Sequence, residues 1–267
     1  MMRMVLAAGF FAWASVAQAQ DVMRMAVTTS FHNSGLADVL LPAILEDLDL
    51  EVQLLVVGTG QALTLGRAGD VDAILVHSRS AEEAFVASGF GPYRREIMFN
   101  DFVVIGPTGD DAGVVLASTA AGALQKIESA QAVFVSRGDD SGTHKKEIAL
   151  WRVVALEPSG FGDWYKSVGA GMGAALNTAS GLDGYILSDR ASWLNFGNKG
   201  TLALLFAGDP VLSNQYAYLP VSANRHPHVK ADLALKLEQW LTSLRAAELI
   251  NAYRINGETL FTFNATP

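Results

Sequence analysis

The sequence predicts an α/β protein built on mostly parallel sheets. Two patterns carry this reading: short apolar, β-branched runs alternate with segments of helical period, and turns of small residues follow the carboxyl ends of those runs. Composition agrees. Half of the 267 residues are hydrophobic, 17% are charged and the mean hydropathy is +0.24, which suits covered sheets and excludes a disordered chain.

Taken in order, the first strand is expected at Met23 to Thr28, followed by a turn at Ser30-Phe31-His32-Asn33. Asn33 or Ser34 can cap a helix in which Leu36, Val39, Leu40, Ala43 and Ile44 share one face. Pro42 falls inside that pattern and conflicts with it, because proline has no amide proton to give. Val52 to Val57 reads as a strand buried on both faces. Gly58-Thr59-Gly60 turns it into a helix from Gln61 to Arg67, and after Gly69-Asp70 a third strand runs from Ala73 to Val76. A second unit repeats the grammar. Strands are expected at Asp101 to Gly106, Ala132 to Ser136 and Tyr185 to Leu187, with helices at Ala117 to Ile127, Thr143 to Val154, Met172 to Thr178 and Ser192 to Phe196. Gln215 to Val221 is a late strand, and Asp232 to Asn251 one amphipathic helix. No internal repeat or low-complexity linker separates the units, so strands running from one into the other should join them.

The first residues read as an address. Arg3 supplies a positive start, Val5 to Val16 an apolar run, and Ala17-Gln18-Ala19 a small-x-small cleavage pattern, so Met1 to Ala19 is a secretory signal. The run is shorter than the ~20 apolar residues a membrane-spanning helix needs. The expected location is the periplasm. No cysteine is present, which excludes a lipid anchor on cysteine, disulfides, thiolate metal sites, iron–sulfur clusters and cysteine nucleophiles. The net charge of −8 and the pI of about 5.1, without a basic stripe, argue against nucleic acid or anionic membrane as partner. No cofactor or metal is expected. Gly169-x-Gly171-x-Gly173 reads as a turn at a helix start, and His226-Pro227-His228 as a solvated loop.

Three strand ends share one composition: Thr28-Thr29-Ser30, Gly58-Thr59-Gly60, and Ser136-Arg137-Gly138-Asp139-Asp140-Ser141-Gly142-Thr143. Each precedes a helix, whose first amides lack intrahelical partners and carry the positive end of the macrodipole. Small residues let an anion approach those amides, hydroxyls add donors, and Arg137 adds a charge with a fork of donors. Any one of these turns is ordinary capping chemistry. Three of them in one chain point to an oxyanion site at the carboxyl ends of the strands.

These residues resemble the periplasmic tungstate-binding proteins of the Tup type, solute receptors of ABC importers. The likeness runs through Thr28-Thr29-Ser30, Asn33-Ser34-Gly35-Leu36, Val57 to Leu63, Gly69-Asp70-Val71-Asp72, Leu75-Val76-His77 and Asn100 to Pro107. Ser136 to His144 is its most specific block, supported by Leu150-Trp151, Trp164-Tyr165, Gly171-Met172-Gly173, Tyr185 and Asp189-Arg190. Val27 departs from the family, which has a threonine there. The resemblance implies a two-lobed type II periplasmic binding fold: residues 20–100 with 215–267 as one lobe, 101–214 as the other, and hinge crossings at Asp101–Gly106 and Tyr216–Val221. Carried over by position, the ligand contacts are Thr29, Ser30, Thr59, Gly60, Arg137, Ser141, Gly142 and Thr143, with Asp139 bracing Arg137 from behind. It further implies a tungstate or molybdate ligand, an inner-membrane ABC permease as partner, a monomer and no catalysis.

Two alternatives stay open from the residues. Arg137 to Thr143 also resembles the turn of phosphate-binding receptors, which need an acceptor carboxylate for the ligand's proton, and neither of the other two turns supplies one; sulfate is a similar case. Ser141, His144 and Asp139 or Asp140 superficially suggest an exported hydrolase, although a triad is drawn from separate segments and no Gly-x-Ser-x-Gly elbow is present. His77 is expected as a core or rim hydrogen-bonding residue. Trp151, Trp164 and Tyr165 are expected in the core, and Glu82-Glu83 and Lys145-Lys146 on solvated faces.

Overall fold

The computed structural model describes residues 20–266, so the expected signal segment lies outside the described residues. From the amino end, β1 (Asp21–Thr28), α1 (Thr29–Asn33), α2 (Ala37–Leu48), β2 (Leu50–Val57), α3 (Thr59–Ala68), β3 (Ala73–Val76) and α4 (Arg79–Ala87) lead into the long strand β4 (Arg95–Pro107). Then come α5 (Ala120–Ala130), β5 (Phe134–Ser136), α6 (Gly142–Val153), β6 (Tyr165–Ser167), α7 (Met172–Leu182), β7 (Tyr185–Asp189), α8 (Arg190–Asn195) and β8 (Leu202–Phe206). The chain returns through β9 (Ser213–Pro220), α9 (Ala231–Leu241), α10 (Leu244–Ala252) and the short strands β10 (Arg254–Ile255), β11 (Glu258–Thr259) and β12 (Thr262–Phe263).

The strands lie in the order β2-β1-β3-β9-β4-β7-β5-β6, with β8 and β12 also on β4. β1, β2 and β3 run parallel, as do β5, β6 and β7; β9 opposes β3, and β4 opposes both β9 and β7. β4 serves two sheets in turn. Arg95 to Asp101 pair with β9, and from Phe102 onward the pairing passes to β7 and β8. Along β1 the side chains alternate as a two-residue period requires: Met23, Met25 and Val27 enter one apolar cluster, and Ala26 enters the cluster on the opposite face. Phe102 and Val104 divide from Val103 and Ile105 in the same way on the second sheet. Both faces of both sheets are thus covered, which is why the strands read as unbroken apolar runs.

Several expectations are corrected. The segment after β1 is a short helix rather than a turn, because the Thr28 hydroxyl caps it by accepting the Phe31 N–H. Pro42 stays within α2 on its exposed side, where the carbonyl it leaves free, that of exposed Asp38, meets water. Asp232 to Asn251 is two helices: Thr242 ends α9, and Ser243 caps α10 by accepting the Ala246 N–H at 3.3 Å. β9 lies wholly in the first sheet, so the return crossing falls before Ser213 and not at Tyr216–Val221. Glu82 is buried, not solvated; its carboxylate takes the Ser78 N–H at 2.6 Å and Arg94 Nε at 2.9 Å. Val27 is fully buried in the apolar cluster that also holds Met23, Met25 and Phe31. No described helix is long and apolar enough to cross a membrane.

Candidate anion-binding site

The parallel strands of each sheet place their carboxyl ends together, and the three turns singled out in the sequence occupy three of those ends. After β1, Thr28 Oγ1 lies 3.0 Å from Ser30 Oγ. Ser30 Oγ in turn lies 3.0 Å from His77 Nε2 and 3.3 Å from the Tyr216 hydroxyl. Thr29 is only half-buried beside this network. After β2, Gly58 begins α3 without a side-chain cap, and Thr59 follows almost fully buried.

The β5–α6 turn is the most constrained. Arg137 is 4% exposed, with one terminal nitrogen 2.5 Å from Asp139 Oδ2, while Asp139 Oδ1 accepts the Ser141 N–H at 3.2 Å. That carboxylate sits below its usual range, since the Ser141 and Arg137 donors outweigh partial burial. Gly138 has φ +61°, and a Cβ there would meet Ser167 Oγ, so the turn requires glycine on two counts. Ser141 caps α6 by accepting the His144 N–H, and Thr143 follows, buried.

The turns face one another. A Cβ on Gly142 would stand 2.5 Å from the His77 ring, and one on Gly60 would stand 3.1 Å from Asp140 Oδ2. Asn195 of α8 also donates to the Asn33 carbonyl at 2.8 Å. Burial and the nearby Arg137 charge lower the His77 pKa to about 4, so the imidazole is neutral at neutral pH. Arg137 is therefore the buried cation of this cluster.

Among the described residues no group bonds the buried Thr59 Oγ1, Thr143 Oγ1 or Arg137 Nε. Two hydroxyls at the starts of helices of 10 and 12 residues, with a guanidinium N–H from the turn ahead of the second, form a donor set suited to an oxyanion. Asp139 is committed to Arg137 and Ser141, and Asp140 to Lys145. His144 Nδ1 accepts the Asp140 N–H at 3.1 Å, so the imidazole is not placed to take a proton from Ser141. His226 and His228 rest Nε2 on the carbonyls of Arg67 and Gly69, and no metal-holding cluster of His, Asp or Glu occurs among the described residues. Trp151 is fully buried, and its indole N–H, the Tyr165 hydroxyl and the Ser136 hydroxyl all donate to the buried Glu147.

His77 is buried and hydrogen-bonded at the rim, as expected, whereas sequence reasoning gave no site role to two members of this constellation, Tyr216 and Asp189. Asp189 ends β7 at the same rim and is fully buried; its Oδ1 caps α8 by accepting the Ser192 N–H, and its Oδ2 has no described partner. The signal available was an acidic residue at a strand end, just ahead of a helical segment.

Comparison with known proteins gives the family. Residues 14–245 match the family described as a PBP superfamily domain. The chain is 42% identical to the tungstate-binding protein TupA of Peptoclostridium acidaminophilum over 252 residues, covering 93% of this chain and 87% of that protein. It is also 42% identical to a putative ABC transporter anion-binding protein of Haloferax volcanii, covering 91% of this chain and 72% of that one. The solved structure of TupA from Desulfovibrio alaskensis G20 superposes with a TM-score of 0.81 at 43% identity, covering 92% of this chain and all of that one. By its sequence and its fold, this chain belongs to the TupA family within the PBP superfamily.

Proposed function

We propose that this protein is an exported receptor that captures tungstate, or the nearly isosteric molybdate, and delivers it to the permease of an ABC importer. The observation that carries the reading is the set of buried donors without described partners, the Thr59 and Thr143 hydroxyls at the starts of α3 and α6 and Arg137 Nε in the turn ahead of α6. A tungstate dianion carries no proton at neutral pH, so it asks a site for donors alone. Thr29, Ser30, Gly60, Ser141 and Gly142 would complete the shell with amides and hydroxyls. One guanidinium cannot balance a dianion, and the helix-start dipoles supply the remainder. With a charge of −8 the protein does not attract anions at long range; the local dipoles do the binding.

The fold offers a mechanism for capture and release. Residues 20–100 with 215–267 would form one lobe and 101–214 the other, rocking about the change of sheet at Asp101–Phe102 in β4 and the return ahead of β9. Closure would bring the hydroxyl turns of the first lobe against the Arg137 turn of the second, in a periplasmic protein freed of its signal segment. Calorimetric titration with tungstate, molybdate, sulfate and phosphate tests the reading. Nanomolar binding of the first two, with sulfate and phosphate excluded, is expected; tight phosphate binding with weak tungstate binding would overturn it.

A further inference from the structure

A site for a proton-free dianion has no evident use for a carboxylate, yet the constellation holds one with an unengaged oxygen. Asp189 is fully buried at the carboxyl end of β7, with Oδ1 bonded to the Ser192 N–H at 2.9 Å and Oδ2 bonded to nothing described. The charged and titratable groups around it can be enumerated. Arg137, in the β5–α6 turn, is the cation that favours its ionised form, and Tyr216 on β9 feels its charge. His77, after β3, is neutral and bonded to Ser30. Lys146 of α6 lies over Phe102, the register partner of Asp189, but spends its ammonium on the Val211 and Ser213 carbonyls. Arg190 is committed to Asp101 through two bonds of 2.7 and 2.6 Å. The neighbouring helix α7 carries no ionisable side chain.

Arg137 is therefore the counter-charge that offsets the cost of a sealed carboxylate in the unliganded site. Burial already raises the Asp189 pKa against the pull of Ser192 and Arg137. A dianion bound at the donor set claims the Arg137 charge for itself. It also adds two negative charges to an enclosure shielded from water, where like charges interact strongly. An ionised Asp189 cannot persist there without loss of affinity. A proton from solvent relieves the repulsion and gives Oδ2 a hydrogen to donate. We propose that capture of a dianion at the Arg137 site is coupled to the uptake of one proton by Asp189, which turns the unengaged carboxylate of the site from an acceptor into a donor. The proposal rests on the tungstate reading above and deepens it.

The bond change is simple: a proton leaves the buffer acid and binds a carboxylate oxygen, and no other group is altered. Titration with sodium tungstate at pH 7, 8 and 9, in pairs of buffers with large and small ionisation enthalpy, counts the protons. Tungstate stays fully deprotonated over that range, so any uptake belongs to the protein. Uptake approaching one proton per anion is expected at the alkaline end, with affinity falling by up to tenfold per pH unit where uptake is complete. In Asp189→Asn the side-chain oxygen still caps α8, the uptake is lost, and the affinity becomes flat with pH and exceeds the parent's at pH 9. His77→Gln removes the other buried titratable side chain of the cluster and, whatever it does to affinity, keeps the uptake. Tight tungstate binding with no proton taken up would overturn this proposal alone. So would uptake that survives Asp189→Asn, or uptake that vanishes only in His77→Gln. Failure of the parent to bind tungstate at all would overturn the functional reading, and the proposal with it.

Discussion

The turns that end β1 and β2 present hydroxyls and amides without a formal charge, whereas the turn that ends β5 presents Arg137, clamped by Asp139, and packs against Ser167 of β6 at Gly138. The first side orders its donors by short relays, Thr28 to Ser30 to His77 and Tyr216. The second orders a single charge by an ion pair and two residues with positive φ, Gly138 and Asp140. Under the proposed function the difference implies a division of labour: charge on one side would supply most of the affinity, while the neutral groups on the other would supply shape. Removing the charge should therefore cost far more than removing any one hydroxyl.

Arg137→Ala is the sharpest test and carries the largest expected effect. Losing a buried charge-assisted donor should weaken tungstate binding by about 10²- to 10³-fold. Affinity within tenfold of the parent would break the division, since it would place the dominant charge elsewhere.

Next in size is a property of the charged side alone. Glu147 is a buried acid on α6 that accepts from Ser136, Trp151 and Tyr165, and burial nevertheless pushes its pKa up to about 7 against those donors. Ser136 adjoins Arg137, so a carboxyl that readily stays neutral leaves the site's positive charge undiminished. The folded pKa lies above the unfolded value of 4.5, so the folded state holds the extra proton between them. The stabilisation is whole below about pH 4.5 and fades as pH rises through 7, a change on the order of 3 kcal/mol. Glu82, raised by burial beside Arg94, shifts in the same direction, so the informative quantity is the parent compared with Glu147→Gln. The parent should lose melting temperature relative to that variant as pH rises from 4.5 to 7. A constant difference would show that Glu147 is ionised throughout and that the charged side carries an internal offset to Arg137.

Smaller again is the loss of one neutral donor. Thr59→Val and Thr143→Val each remove a buried hydroxyl that bonds nothing else described, one from each side, and should weaken tungstate binding by about 10- to 30-fold apiece. Near equality of the two would sharpen the comparison by showing that the sides differ in charge and not in hydroxyl chemistry. A threonine effect as large as that of Arg137→Ala would break it.

Much of this was legible because strands buried on both faces have unmistakable composition. Val52 to Val57, Ala73 to Val76 and Val103 to Ile105 announce parallel sheets, and glycine and hydroxyl turns announce their carboxyl ends. The amino-terminal half of β4 did not read as a strand because Arg95 and Glu96 interrupt its apolar run; Arg95 pairs with Glu238 and Glu96 with Arg94, contacts set by distant sequence. Glu82 escaped for the same reason, since only the fold brings Arg94 to it. In the site, the local turns could be read one by one, but Tyr216 reaches Ser30 from 186 residues away and Asp189 joins through the strand order. Local chemistry is written in consecutive residues; a relay between strands is written only in topology.

The smallest expected effect tests how deep the neutral side extends. Val27 occupies the position where the family resemblance has a threonine, which raises the question of a lost ligand contact. Its side chain is fully buried with Met23, Met25 and Phe31, on the face of β1 opposite Ala26, and so points into the core rather than toward the anion. Val27→Thr should therefore leave tungstate affinity within about twofold. It should instead cost about 1–3 kcal/mol of stability, because a hydroxyl would replace a methyl in an apolar cluster. A stabilised variant that binds more tightly would mean that β1 turns this side chain to the ligand, and that the neutral side holds one more donor position than Thr29 and Ser30 account for. Equal affinity with a lower melting temperature would confine that side's work to the residues beyond the strand end.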